Sequence, residues 1–331
     1  MKIDHMTKRE RLTASIAGQE VDRVPVGFWR HWPGDDQYPA SLAAVTLDFQ
    51  KRYDLDFIKI PVSSTYCVDD FGIKHAYRDS LNGDREYLSR VVQKPSDWEK
   101  IVPWDINCGT YGWHLETLKK VINETDKNTP VIMTMFNPLA MAAYLAGDEL
   151  LLTHLRQYPE KVHQALDALA ETSARFARAC IDMGADGLFL SSRFASFEAM
   201  TVDEYRCFGR PYDLRVFNAG DGGWFNVLHL HGQHPMLKEL ADYPVQAVNW
   251  HDRTSDIDLG TAAGLFSGML MGGIDQQRLL QYGSPAEVRT QAKDSIKSLE
   301  ARRLAVTPGC TYSMNVPDAN LRAMRQAVEL R

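Results

Sequence analysis

Eight short apolar runs punctuate the chain, at residues 24–29, 56–62, 130–136, 187–191, 226–231, 246–251, 267–274 and 304–307, with helix-like segments between most of them. They are rich in Val, Ile, Leu and Phe and mostly lack polar alternation, as expected of parallel strands covered on both faces. Strand and helix alternating eight times predict an α/β fold, a closed (β/α)8 TIM barrel. A doubly wound sheet is the alternative, but no Gly-x-Gly-x-x-Gly follows the first run. Barrels of this kind use 331 residues for one domain, and no linker or low-complexity tract divides the chain, so a single domain over residues 1–331 is expected. Two stretches exceed the simple repeat. Residues 63–95, after the second strand, read as a hairpin excursion, and 192–225, after the fourth, as a long insertion. Loops of that length at the C-terminal mouth of a barrel often shape a substrate pocket.

The helices carry their own punctuation. Ser284-Pro-Ala-Glu287 and Thr201-Val-Asp-Glu204 have the capping-box pattern. Val162, Leu166, Leu169, Ser173, Phe176, Cys180 and Met183 recur at three- and four-residue spacing and mark one face of a long helix. Pro317 is placed to open a final helix that buries Leu321, Met324 and Val328.

Four of the ten histidines, His229, His231, His234 and His251, fall within 23 residues, where even scatter would place fewer than one. In Val227-Leu-His-Leu-His-Gly232 the two histidines share one face, because strand side chains alternate, while Leu228 and Leu230 point into the helical layer. Catalytic groups of a barrel lie at the C-terminal strand ends. Those ends carry Trp29-Arg30-His31, Asn137, Ser192-Arg193, His229 with His231, His251-Asp252, Asp275 and Pro308-Gly-Cys310. Neutral imidazoles with a thiolate are a ligand set that zinc accepts, so His229, His231 and Cys310 are candidate metal ligands. The metal-free alternative has His229, His231 and His251 binding a carboxylate or shuttling protons. His251 and Asp252 are candidates for catalysis or for orienting a ligand. Arg30 and Arg193 suit an anionic substrate or form structural salt bridges. Trp29 and Asn137 join them as candidate substrate contacts, while Phe28, Trp29 and Trp32 could equally pack a lid. His234 reads as a loop residue, Asp35-Asp36 as a solvated loop, and Gly272-Gly273 as a weak resemblance to a phosphate loop.

Net charge −6 argues against a nucleic-acid-binding surface. The charged first ten residues lack a signal-peptide core, and no apolar run approaches a bilayer span, so a cytoplasmic protein is expected. Five scattered cysteines without a CxxC pair suggest reduced thiols; Cys180 reads as a small core residue.

Over nearly its whole length the chain resembles the uroporphyrinogen decarboxylase superfamily, which includes zinc-dependent methylcobalamin:thiol methyltransferases. The resemblance rests on Gly184-Ala-Asp-Gly187, Arg210-Pro-Tyr212, Leu228-His-Leu-His-Gly232, Met271-Gly-Gly-Ile-Asp275, Pro308-Gly-Cys310 and Asn320-Leu-Arg-Ala-Met324. The decarboxylases carry Arg-x-Ala-Gly-Arg after strand one and an aspartate ending strand two. Here those positions read Arg30-His-Trp-Pro-Gly-Asp35 and Lys59-Ile-Pro-Val-Ser63, which makes tetrapyrrole decarboxylation improbable. The methyltransferase branch uses His-x-Cys after strand five and Cys after strand eight as zinc ligands, which implies His229, His231 and Cys310, with histidine in place of the middle cysteine. The resemblance thus implies zinc-dependent methyl transfer from a corrinoid donor to a small acceptor. No Asp-x-His-x-x-Gly motif is present, so the corrinoid would come on a partner protein. A carboxy-lyase of an aromatic or tetrapyrrolic acid and a non-catalytic ligand-binding barrel are the alternatives.

Overall fold

A computed structural model describes residues 5–329, so the start of the charged N-terminus, residues 1–4, lies outside the described residues. Among the described residues there are nine strands: β1 (Ile58–Lys59), β2 (Lys74–Tyr77), β3 (Arg85–Ser89), β4 (Val131–Phe136), β5 (Gly187–Ser192), β6 (Val227–Leu230), β7 (Ala247–Trp250), β8 (Met269–Ile274) and β9 (Leu304–Pro308). Seven form one parallel sheet in the order β1-β4-β5-β6-β7-β8-β9, and β2 pairs antiparallel with β3. The sheet curls into a TIM barrel of α/β class, with helices outside. The expected hairpin within 63–95 is β2–β3. The stretch 192–225 holds a loop and two helices, Val202–Phe208 and Arg210–Ala219.

The run 24–29 departs from expectation. It forms no strand, only an isolated parallel bridge from Val26 to Val306. The reason is local chemistry. Pro25 has no N–H, and the Val26 N–H donates to the Asp56 carboxylate (2.8 Å) instead of to a neighbouring strand. The segment still serves as the first stave, between β9 and β1. The Val306 N–H donates to the Pro25 carbonyl (2.8 Å), and on the other side the Asp56 N–H donates to that of Val26 (2.9 Å). The run 56–62 likewise shrinks to two ladder residues, because Pro61 interrupts it.

Alternation sorts the side chains into two cores. Trp29, Phe57, Phe189, Val227, Met269 and Met271 pack inside the barrel, whereas Leu228, Leu230, Leu188 and Leu190 join the larger core under the helices. Gly27 has to be glycine, since a Cβ there would lie 2.3 Å from the Phe57 ring that plugs the barrel. The long helix Pro159–Asp182 buries Val162, Leu166, Leu169, Ser173, Phe176 and Cys180 as its spacing predicts. Both capping boxes form, at Thr201 with Glu204 and Ser284 with Glu287. Pro317 caps the helix Asp318–Ala327. No helix among the described residues is long and apolar enough to cross a membrane.

Two buried polar clusters hold the staves. At the N-terminal end the Asp56 carboxylate, fully buried, accepts hydrogen bonds from Arg11 (2.7 Å) and from both Nη atoms of Arg23 (2.6 and 3.0 Å). Near the C-terminal ends of β4 and β5, Asp213 accepts from Asn137 (3.0 Å), Tyr205 (2.5 Å) and Tyr243 (3.0 Å), and Ser192 meets the Tyr205 hydroxyl at 2.7 Å. Burial pushes the Asp213 carboxyl up to about 6 from its ordinary 3.8.

Two outcomes are expected. Asp56→Ala strands two buried guanidinium groups and should cost about 3–5 kcal/mol in urea unfolding. A raised carboxyl binds its proton more tightly in the folded state, so Asp213 contributes stability below pH 3.8 that is lost as pH rises through about 6. Unfolding titrations across that window should therefore show a flatter pH dependence for Asp213→Asn than for the parent.

Candidate metal centre

Register places the first donor. His229 and Asn249 are partners across β6 and β7, both inward and both buried. The Asn249 amide NH2 faces three acceptors: the carbonyls of Met271 (2.8 Å) and Pro308 (3.2 Å) and the Thr307 hydroxyl (3.3 Å). Its Oδ1 must therefore be the atom that meets His229 Nδ1 at 2.6 Å, and Nδ1 must carry the proton. This fixes the tautomer. Nε2 keeps its lone pair and stands 3.7 Å from Cys310 Sγ.

His231 follows β6, its N–H bonded to the Ser192 carbonyl (3.0 Å), and is exposed at the rim. His251 follows β7, with its ring centroid 4.9 Å from that of His231 and 6.1 Å from that of His229. Cys310, half-buried, follows β9. The glycine before it is required, because a Cβ at Gly309 would lie 2.8 Å from the His251 Cα. One donor atom from each of His229, His231, His251 and Cys310 falls within 4.8 Å of every other. Gln276 braces the pair, accepting from the Gly309 N–H (3.2 Å) and presenting Nε2 to His251 Nδ1 at 3.5 Å. His251 Nε2 is buried and has no protein partner among the described residues.

Electrostatics keep the imidazoles neutral. Burial first, then His251 and His231, hold His229 well below its ordinary value; burial and His231 bring His251 to about 4. His231 is lowered too, by the surrounding protein and by Arg193. Burial raises the Cys310 thiol, with Lys59 acting against it. The neutral imidazoles of His229 and His231 with the Cys310 thiol, and the His229 Nε2 lone pair aimed at that sulfur, fit a zinc ion.

The four donors open on a cavity of about 650 Å³ at the barrel mouth, lined also by Trp29, Arg30, Arg193 and, from the hairpin, Asp84 and Arg85. Other expected residues lie elsewhere or are already engaged. Asn137 is not in the cavity: it is fully buried, caps the helix Pro138–Ala146 and anchors Asp213. Asp252 turns into the barrel wall, where it accepts from the Gly273 N–H (3.0 Å) and burial raises it to about 7. Arg193 lines the cavity but is bound bidentately by Asp148 (2.8 and 2.6 Å). Arg30 meets no carboxylate among the described residues; it donates to the Met314 carbonyl (3.1 Å) and lies 3.8 Å over the Trp32 ring. Asp36 is no solvated loop residue, since it is buried against Arg85 at 2.6 Å. His234 is exposed, paired with Asp256. Gly272-Gly273 lies buried within β8 and forms no phosphate loop, and Phe28 packs behind the barrel on Phe49 and Tyr53. All five cysteines are free.

Asn249, Gln276 and Lys59 belong to the site and escaped the sequence reading. Asn249 shares a strand face with His251 at a spacing of two, and Lys59 is the one charge inside the apolar stretch 57–62. Each signal was visible but indistinct without register.

Comparison with known proteins agrees with this architecture. The chain is 26% identical over 335 residues to the methylcobamide:CoM methyltransferase MtbA of Methanosarcina acetivorans, covering 96% of each. It is 23% identical over 221 residues to the uroporphyrinogen decarboxylase of Prochlorococcus marinus, covering 64% of this chain and 62% of that one. A solved methyltransferase from Methanosarcina mazei superposes with a TM-score of 0.86 at 21% identity, covering 98% of both chains, and so shares the fold. The profile of the uroporphyrinogen decarboxylase (URO-D) family matches residues 7–330, and the chain belongs to that family.

Proposed function

We propose that this protein is a metal-dependent methyltransferase, moving a methyl group between a corrinoid carried by a partner protein and a small acceptor. The observation that carries the reading is the convergence of four donor atoms within 4.8 Å, one of them held in the ligand tautomer by Asn249. His229, His231 and Cys310 are the residues that would hold zinc. Bound there, zinc supplies Lewis acidity that favours the deprotonated form of an acceptor.

The remaining roles belong to the chain. Asn249 keeps the His229 Nε2 lone pair free and directed at the site. Gln276 presents an N–H to His251 Nδ1, which leaves the proton of that imidazole on Nε2. His251 is thus suited to donate a hydrogen bond from that atom to a group bound in the cavity, complementing His229 as ligand. Arg30 and Trp29 contact the acceptor, and Arg193 shapes the rim. Asp252 orients the wall beside His251 and does not touch substrate. The carboxy-lyase alternative needs both arginines as carboxylate anchors; Asp148 already occupies Arg193.

Native protein should contain roughly one zinc per chain by elemental analysis, and His229→Ala or Cys310→Ala should lose it. Sub-stoichiometric metal that neither substitution changes would refute the reading. Methyl transfer itself is followed by the visible spectrum of methylcobalamin, with coenzyme M, named for the relatives, as one trial acceptor. Asn249→Leu should keep the fold yet weaken zinc affinity about 10–100-fold in a chelator competition.

A further inference from the structure

The cavity carries more positive charge than it matches. Its lining includes four cations, Arg30, Lys59, Arg85 and Arg193, and one carboxylate, the exposed Asp84. Asp36 neutralises Arg85 and Asp148 neutralises Arg193. Arg30 is tied to a carbonyl and to the Trp32 ring. Lys59 has none of these. It ends β1 with its side chain inward and half-buried, and its amine makes no hydrogen bond or ion pair among the described residues. What surrounds it is aromatic: the amine lies 4.5 Å from the centre of the Phe189 ring and 5.2 Å from that of Trp29. Phe189 in turn lies 5.5 Å from the His229 ring at an interplanar angle of 24°.

An ammonium between ring faces gains some cation–π attraction, yet those faces accept no hydrogen bond from its three N–H donors. The amine reaches the open cavity, and the protein packed around it brings its pKa down to about 7. An anionic group entering the cavity would supply the missing acceptor. Phe136 and Tyr144, half-buried along the same wall, offer apolar surface to whatever carries that group. The volume, about 650 Å³, lies within the range of roughly 300–1,000 Å³ usual for sites that enclose a ring-sized ligand.

We infer that Lys59 is the specificity-determining residue of this cavity and that the acceptor it selects is an aryl carboxylate bearing a hydroxyl or thiol at the far end of its ring, whose carboxylate meets the Lys59 amine while its ring lies along Phe136 and Tyr144. The inference deepens the proposed methyl transfer and rests on its reading of this cavity as the active site. Such an acceptor places its charge beside β1 and its hydroxyl or thiol toward His229 and His251, where that oxygen or sulfur would form the bond to the methyl carbon as the carbon–cobalt bond of the partner's corrinoid breaks, its proton leaving to water.

The test is isothermal titration calorimetry on the intact zinc-loaded protein with three probes: benzoate, its neutral counterpart benzamide, and the small aliphatic anion acetate. Benzoate should bind more tightly than either. Lys59→Met should weaken benzoate by about tenfold or more, the scale of one lost charged hydrogen bond, and Lys59→Arg should retain most of the affinity. Zinc content and thermal melting of both variants should match the parent, which separates a lost anchor from a damaged fold or metal site. Benzamide or acetate binding as well as benzoate, no binding of benzoate, or Lys59→Met binding benzoate like the parent would each overturn the inference. No methyl donor is present in the titration. Benzoate binding without methyl transfer to any acceptor would reject the reaction and keep the anchor, whereas methyl transfer in a protein indifferent to benzoate would do the reverse.

Discussion

The ring closes on one buried carboxylate. Asp56 binds Arg11, Arg23 and the Val26 N–H, joining the first helix, the first stave and the start of β1. That joint reinforces the few backbone bonds, Val306 to Pro25 and Asp56 to Val26, that seat the segment 24–29 between β9 and β1, where its own ladder amounts to a single bridge. Closure matters for chemistry because it turns seven strands in a row into a circle. Donors on β6, after β7 and after β9 then converge on one axis, with His229 Nε2 only 3.7 Å from Cys310 Sγ. The same residue that prevents regular pairing in the first stave secures the geometry of the distant mouth.

At that mouth, similar residues are made different by what stands behind them. His229 and His251 are both buried imidazoles with depressed proton affinity, so both are neutral at physiological pH. Asn249 offers an oxygen to one and Gln276 offers an N–H to the other, because the remaining atoms of each amide are engaged by backbone groups. The two rings consequently direct opposite faces of their chemistry into the cavity, a lone pair from His229 and an N–H from His251. Side-chain amides one layer back therefore decide which histidine presents a lone pair and which an N–H.

Charge in the cavity follows a related logic. Arginines at the rim are bound by carboxylates from outside the mouth, which fixes their positions and spends their charge. The lysine further in is left against aromatic rings. A fold tolerates an unmatched ammonium only where some other gain offsets the desolvation, and binding sites are the common place for that.

The sequence alone determined the class of fold, most of the strand positions and the clustering of chemistry-bearing residues. Periodicity and capping are local, and Val162 through Cys180 or Ser284 with Glu287 declare their elements without help from distant parts of the chain. Two proline-bearing runs, 24–29 and 56–62, read as longer strands than they are, because a local pattern does not reveal that Asp56 captures a neighbour's N–H. The convergence of His229, His231 and Cys310 was legible once strand ends were assumed to meet. What only the tertiary structure decided was partnership. Asn137 and Asp252 have the right chemistry at the right strand ends, yet the walls turn both away from the cavity, and Arg193 meets Asp148 across 45 residues. Asn249 and Lys59 look ordinary in sequence and gain importance from register and from the absence of a countercharge. Which atoms a side chain faces depends on contacts between residues far apart in the chain, and that information exists only once the barrel has closed.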